Sequence, residues 1–287
     1  MSSVPYIIDD IRGFLQLYSD GSVVRSDDPV KNHFQFREDN SVAFKDYLFD
    51  KSNNLHIRLF KPLSPPSSSR KLPIIVFFHG GGFCFSSCTW PKYHNCCLRL
   101  ASELGALVVS ADYRLAPENR LPAAIEDGLG ALKWLKDQAS CGGDAWAFEG
   151  VDFDRVFVLG DSSGGTITHH LAVRLGPGSE ELNPLQVKGF SLPVGDTRDS
   201  QYANPFGPKS PSLEDLGLSP MLVTVGGLEL LRDRAKVYAQ RLKEMSKRIE
   251  YVEFEEKYHG YFTITPYSKD GDAFLKMMSQ FMSSNST

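Results

Sequence analysis

Short apolar runs bounded by turn residues recur along the chain, and stretches of helical length, with apolar positions near a 3.6-residue period, lie between most of them. The runs Ile74–Phe78, Ala106–Ala111, Arg155–Gly160, Val187–Leu192, Met221–Gly226 and Ile249–Phe254 each have the length of an ordinary strand. Between them, roughly Lys92–Leu104, Ala123–Ala139, Gly164–Leu175, Leu231–Met245 and Gly271–Met282 read as helices. Such alternation predicts an α/β fold with a mostly parallel central sheet flanked by helices. Upstream, Val42–Phe49 and Leu55–Phe60 alternate around the turn-like Lys51-Ser52-Asn53-Asn54, which predicts an antiparallel hairpin at the sheet edge. Asp20-Gly21 marks a tight turn, and the Pro/Ser-rich stretch from Leu63 to Ser69 is a surface loop. The amphipathic stretch Ile7–Leu15 suits a cap over a pocket or a face docked on a second subunit. The expected organisation is one domain, with a cap segment at 1–40 and a catalytic core at 41–287.

Composition narrows the class. A chain of 287 residues, 41% hydrophobic, buries one sizeable core. With 31 basic and 35 acidic residues and no Lys/Arg-rich run, nucleic acid is not an expected partner. The start MSSVPYIIDD lacks a secretory pattern and no long apolar run occurs, so a cytoplasmic or nuclear location away from membranes is expected. Five cysteines in no disulfide-framework spacing suit a reducing compartment and read as buried small apolar residues. Cys84, Cys88 and His94 match no standard zinc spacing, so no metal is expected.

The chemistry is concentrated in two glycine-rich turns and two later loops. Gly160-Asp161-Ser162-Ser163-Gly164 lies between the strand ending at Gly160 and a helix, the setting of a nucleophile elbow. Glycines at both ends permit the tight turn, and the spacing selects Ser162, since residue 161 would have to be glycine for Ser163 to be central. His79-Gly80-Gly81-Gly82 follows another apolar strand and offers bare N–H groups. Gly81 and Gly82, with the N–H of Ser163, are the expected oxyanion donors, worth roughly 3–4 kcal/mol each. His79 itself reads as an orienting or packing residue.

Of seven histidines, His259 lies just past the strand Ile249–Phe254, in the position of a general base following nucleophile and acid in the chain. The acid stands after Met221–Val225, where Glu229 is nearest the strand end. Asp233, at the start of the next helix, and Asp196 are the alternatives. Phe83, Phe85, Trp90, Tyr261 and Phe262 flank these motifs and are the candidates to line an apolar substrate pocket. No cofactor is needed for such a site.

Taken together, His79-Gly80-Gly81-Gly82-Phe83, the run Asp112 to Glu118 (DYRLAPE), Gly160–Gly165, Asn204-Pro205-Phe206-Gly207-Pro208 and His259-Gly260 resemble the plant carboxylesterases of the hormone-sensitive-lipase-like class. Within it, Leu15-Gln16-Leu17, Asn54–Leu59 and Glu229–Lys236 look most like the subgroup that inactivates strigolactones. The resemblance implies an α/β-hydrolase fold and attack on a small ester or lactone, with a strigolactone butenolide as the expected substrate. A monomer or homodimer is expected. Most relatives carry aspartate where Glu229 stands, whereas the strigolactone subgroup shares the glutamate. Relatives also carry a long helical lid after the strand equivalent to Val187–Leu192. Here Leu192 runs straight into Pro193-Val194-Gly195-Asp196, so a shortened lid is expected.

Two other function classes fit the same frame. The gibberellin receptor of the wider family binds a hormone without turnover, and by resemblance lacks the catalytic histidine that His259 supplies here. Related dehydratases perform elimination, and some carry threonine at the nucleophile position held by Ser162.

Overall fold

In a computed structural model, residues 4–26, 33–64, 71–192, 202 and 204–286 are described. Eleven strands occur among them: β1 (Ile7–Ile11), β2 (Leu15–Tyr18), β3 (Val23–Arg25), β4 (Val42–Asp50), β5 (Leu55–Pro62), β6 (Leu72–Phe78), β7 (Leu107–Ala111), β8 (Val151–Gly160), β9 (Val187–Leu192), β10 (Met221–Gly226) and β11 (Ile249–Phe254). The helices are α1 (Pro91–Leu104), α2 (Ala123–Cys141), α3 (Ala145–Phe148), α4 (Ser163–Arg174), α5 (Arg232–Glu244), α6 (Tyr261–Ile264) and α7 (Lys269–Ser284), with a 3₁₀ turn at Glu180–Leu182.

Eight strands form one sheet in the order β11-β10-β9-β8-β6-β7-β5-β4. The six from β11 to β7 run parallel, while β5 pairs antiparallel with β7 and with β4, so the expected hairpin closes one edge. Six of the seven residues of β6 are buried, as a strand covered on both faces requires. Its side chains divide by the two-residue period. Ile74, Val76 and Phe78 enter a core shared with α2, α4 and α5, whereas Ile75 and Phe77 enter a second core with α1 and α7. Each fully buried Phe or Ile contributes roughly 2–3 kcal/mol, so the central strands are held from both sides.

Residues 7–25 depart from a simple amphipathic cap element. They form a separate three-stranded antiparallel sheet, β1-β2-β3, in which every residue of β1 is exposed. Not all five cysteines are buried as expected. Cys88, Cys96 and Cys97 are buried and Cys84 is half-buried, but Cys141 is exposed at the end of α2, where Gly142 turns the chain left-handed at φ 67°. The shortened lid falls on residues 193–201 and 203, outside the described residues. No described helix is long and apolar enough to cross a membrane.

Candidate active site

Because β6, β8, β10 and β11 are parallel, the loops that follow them leave the sheet at one end, and all four expected motifs lie there. At the end of β8 the backbone turns so sharply that Ser162 takes φ 55° and ψ −116°, a left-handed strain of about 1–3 kcal/mol. The neighbouring glycines show what permits it. A Cβ on Gly160 would stand 2.1 Å from the Gly164 carbonyl oxygen, and one on Gly164 would stand 2.1 Å from that of Phe78. The Asp161 N–H donates to the same Phe78 carbonyl at 3.0 Å, tying the elbow to β6. A Gly164→Ala substitution should therefore force backbone apart, costing about 3 kcal/mol and lowering the melting temperature by roughly 5–10 °C in a thermal scan.

The loop expected to receive the oxyanion, at Gly80–Gly82, is fixed by a different set of contacts. Gly81 has φ 120° and Gly82 φ 59°, and a side chain on Gly81 would strike the Phe85 carbonyl at 2.1 Å. The carbonyl of Gly81 accepts from Cys84 N–H at 2.9 Å, closing the turn. Among the described residues, no acceptor takes the N–H groups of Gly81, Gly82 or Ser163. Three unengaged donors at a helix N-terminus and a glycine turn suit a developing negative oxygen.

Residues of the DYRLAPE block brace this arrangement from below. Tyr113 donates its hydroxyl to His79 O at 2.8 Å, lies 3.2 Å from Ser163 Oγ and stacks on the His79 ring at 4.3 Å. Asp112 accepts the Cys88 N–H at 2.6 Å, and Arg114 pairs with Asp127 at 2.7 Å.

His259 faces Glu229, with Nδ1 3.4 Å from Oε2. The glutamate side chain is only 2% exposed, its Oε2 also accepts the Gly226 N–H at 3.3 Å, and its Oε1 is buried without a partner. Asp233, by contrast, is 81% exposed and pairs with its neighbour Arg232 at 2.9 Å, the ordinary place of a carboxylate in a first helical turn. Asp196 lies outside the described residues. The Ser162 hydroxyl has no hydrogen-bond partner among the described residues, a contact that commonly tightens only when substrate binds.

The histidines separate by environment. Burial pushes His79, His170, His94 and His169 down, the last two to about 4 and about 3, so these rings are neutral. His259 alone among the shifted histidines moves upward, chiefly through its hydrogen bond to Glu229. An imidazole so placed is the stronger base and retains its proton to a higher pH.

The five expected pocket residues divide. Phe83 is 6% exposed, Tyr261 8% and Phe262 2%; Phe262 stacks on Phe274 at 4.2 Å and Tyr261 packs at a tilt against Phe254 at 4.7 Å, so the structure packs these three into core rather than into an open wall. Phe85 and Trp90 remain half-buried beside the oxyanion loop. Phe14, from the turn between β1 and β2, stacks on Phe85 at 5.0 Å and lies 6.2 Å from Trp90. Arg25 of β3 fastens this ribbon down: it donates to Cys84 O and Ala116 O, both at 2.7 Å, and pairs with Glu118 at 2.6 Å. Neither Phe14 nor Arg25 lies in a motif, and only their contacts reveal them.

A cavity of about 660 Å³ opens elsewhere, near the beginnings of β9 and β10, lined by Lys188, Pro220, Arg248 and Asn285 among others. It lies at the wrong end of the strands for this chemistry.

The sequence pattern of the α/β-hydrolase fold matches residues 75–192 and 181–263. The chain is 35% identical to probable carboxylesterase 8 of Arabidopsis thaliana, covering 87% of this chain and 85% of that protein. It is 33% identical to gibberellin receptor GID1C of the same plant, covering 86% and 80% respectively. Among solved structures, an esterase of Pyrobaculum calidifontis superposes with a TM-score of 0.67 at 27% identity, over 84% of this chain and 85% of the other.

Proposed function

Since the chain belongs to the α/β-hydrolase family and is a carboxylic ester hydrolase, we propose that Ser162, His259 and Glu229 form its catalytic triad and that its substrate is a strigolactone-type lactone. The observation that carries the triad is the buried Glu229 carboxylate facing His259 Nδ1, while Ser162 stands on the strained elbow. His259 Nε2 takes the Ser162 proton as Oγ bonds to the carbonyl carbon, and Glu229 holds the ring in the tautomer that leaves Nε2 free. The N–H groups of Gly81, Gly82 and Ser163 receive the oxyanion. The carbon–oxygen bond to the alcohol then breaks, and His259 returns the proton to the departing oxygen. Water, deprotonated by the same imidazole, cleaves the acyl-enzyme and restores the serine.

The substrate reading rests on two features. The aromatic surface of Phe14, Phe85 and Trp90 beside the oxyanion loop favours an apolar ester. Glutamate at the acid position is shared, by resemblance, with the strigolactone-degrading relatives, as are the stretches Leu15-Gln16-Leu17 and Asn54–Leu59. Similarity to a gibberellin receptor supports a second reading, hormone binding without turnover, but a paired His259 is superfluous to pure binding.

Incubation with a synthetic strigolactone analogue tests the substrate. Loss of analogue, together with added mass on the Ser162 peptide, is expected. Rapid hydrolysis of simple esters with neither loss nor adduct would leave a carboxylesterase of other specificity. Binding of the analogue, with no turnover of any ester, would favour the receptor.

A further inference from the structure

Beneath the elbow lies a second charged group that the triad does not use. Asp161 is 1% exposed; its Oδ2 accepts the Thr263 hydroxyl at 3.1 Å and stands 3.5 Å from Lys92 Nζ, while its Oδ1 has no partner. Lys92 sits in the first turn of α1, where a cation opposes the helix dipole, and its side chain is only 19% exposed. Something must offset both costs. The ammonium lies 4.7 Å above the Tyr93 ring and 3.4 Å from its hydroxyl, which in turn accepts the Gly80 N–H at 3.1 Å. It also stands 3.5 Å from the position a Cβ on Gly260 would take, next to His259. Burial disfavours the charge on Lys92, but Tyr93 and Asp161 outweigh it and keep the ammonium protonated.

We propose that Lys92 is a positioning residue for the reaction at Ser162: paired with Asp161, it joins the oxyanion loop, the elbow and the His259 loop into one charge-balanced unit. The three links are Tyr93 to Gly80, Asp161 at the elbow itself, and Thr263, whose one hydroxyl proton is shared between Asp161 Oδ2 and Gly260 O, the latter at 3.0 Å. This inference rests on the hydrolase reading of Ser162 and His259.

The pair also sets the field at the base. His259 is faced by Glu229 from the loop after β10, Asp161 from the elbow and Lys92 from α1. Around the pair stand His79, Tyr93, Cys96, Tyr113 and Tyr261. Burial lowers the first and raises the other four, so all five are neutral near pH 7. The fixed charges are therefore two carboxylates and one ammonium. Removing the ammonium leaves both carboxylates uncompensated and favours imidazolium.

The test is the pH dependence of kcat/KM for p-nitrophenyl acetate in wild type, Lys92→Met, Asp161→Asn and the double variant, with NMR titration of the His259 ring alongside. In Lys92→Met the acid limb and the ring titration should both rise by about one pH unit, with kcat reduced on the order of 10-fold and KM little changed. Asp161→Asn should move them downward, and the double variant should return to within about 0.3 unit of wild type. Coincident titrations in all four proteins would overturn the proposal, whatever happens to kcat. If Lys92→Met does not fold, the opposite shift in Asp161→Asn decides the matter. A wild-type protein inactive on every ester would overturn the hydrolase reading instead, while the ring titration would still report on the pair.

Discussion

Alanine at Ser162 should abolish ester hydrolysis, lowering kcat for a p-nitrophenyl ester on the order of 10⁵-fold, with the folded state unaffected. The magnitude follows from the site. The other hydroxyl of the elbow, that of Ser163, is 3% exposed with its Oγ against Tyr113. Residual turnover would come only from the N–H donors and from binding. The substitution removes no packed group and no hydrogen bond among the described residues, so the thermal midpoint should stay within about 2 °C of wild type. Retention of even a few per cent of activity in the purified variant would show that the nucleophile lies elsewhere.

The second large effect is expected at the acid. Glu229→Gln should lower kcat on the order of 10³–10⁴-fold, because an amide can present N–H to His259 Nδ1 and so favour the wrong tautomer. Asp233→Asn should leave kcat within about two-fold of wild type, as expected for an exposed charge paired with its neighbour. Parallel steady-state kinetics on the two variants decide between the carboxylates. Loss of turnover in Asp233→Asn alone would mean that the loop rearranges on binding and that the wrong acid has been named. Glutamate suits this loop for a visible reason. Its backbone N–H returns to Gly226 O at 3.3 Å, in a turn at the strand end, and the longer side chain reaches from that turn to the imidazole.

The sequence discloses the central sheet because buried parallel strands are written as continuous apolar runs. Ile74–Phe78 and Met221–Gly226 could hardly be anything else once helices separate them, and their ends locate every loop that matters. The elbow was equally legible, since Gly160 and Gly164 are required by contacts under 2.2 Å. The ribbon β1–β3 was not. Its strands are three to five residues long, and β1 buries neither face, so Ile7-Ile8-Asp9-Asp10-Ile11 carries no two-residue period to read.

Aromatic residues beside motifs were ambiguous in the same way. Phe262 and Phe85 look alike in sequence, yet one stacks in the core on α7 and the other faces Phe14. Lys92 was hidden for the opposite reason, as a lysine in a helix's first turn ordinarily points to water. Only the fold brings it to a buried aspartate that lies far away in the chain.

Arg25 links two properties that are otherwise inherited separately. The groups proposed to break the ester all come from residues after position 80, whereas Phe14, part of the aromatic surface beside them, belongs to a ribbon fastened by one guanidinium to two carbonyls and a carboxylate. Part of the surface proposed for recognition is thus written on a different stretch of chain from the groups proposed for bond cleavage. A lineage can alter the first few dozen residues, and with them the molecules it admits, while the reaction itself is passed on unchanged.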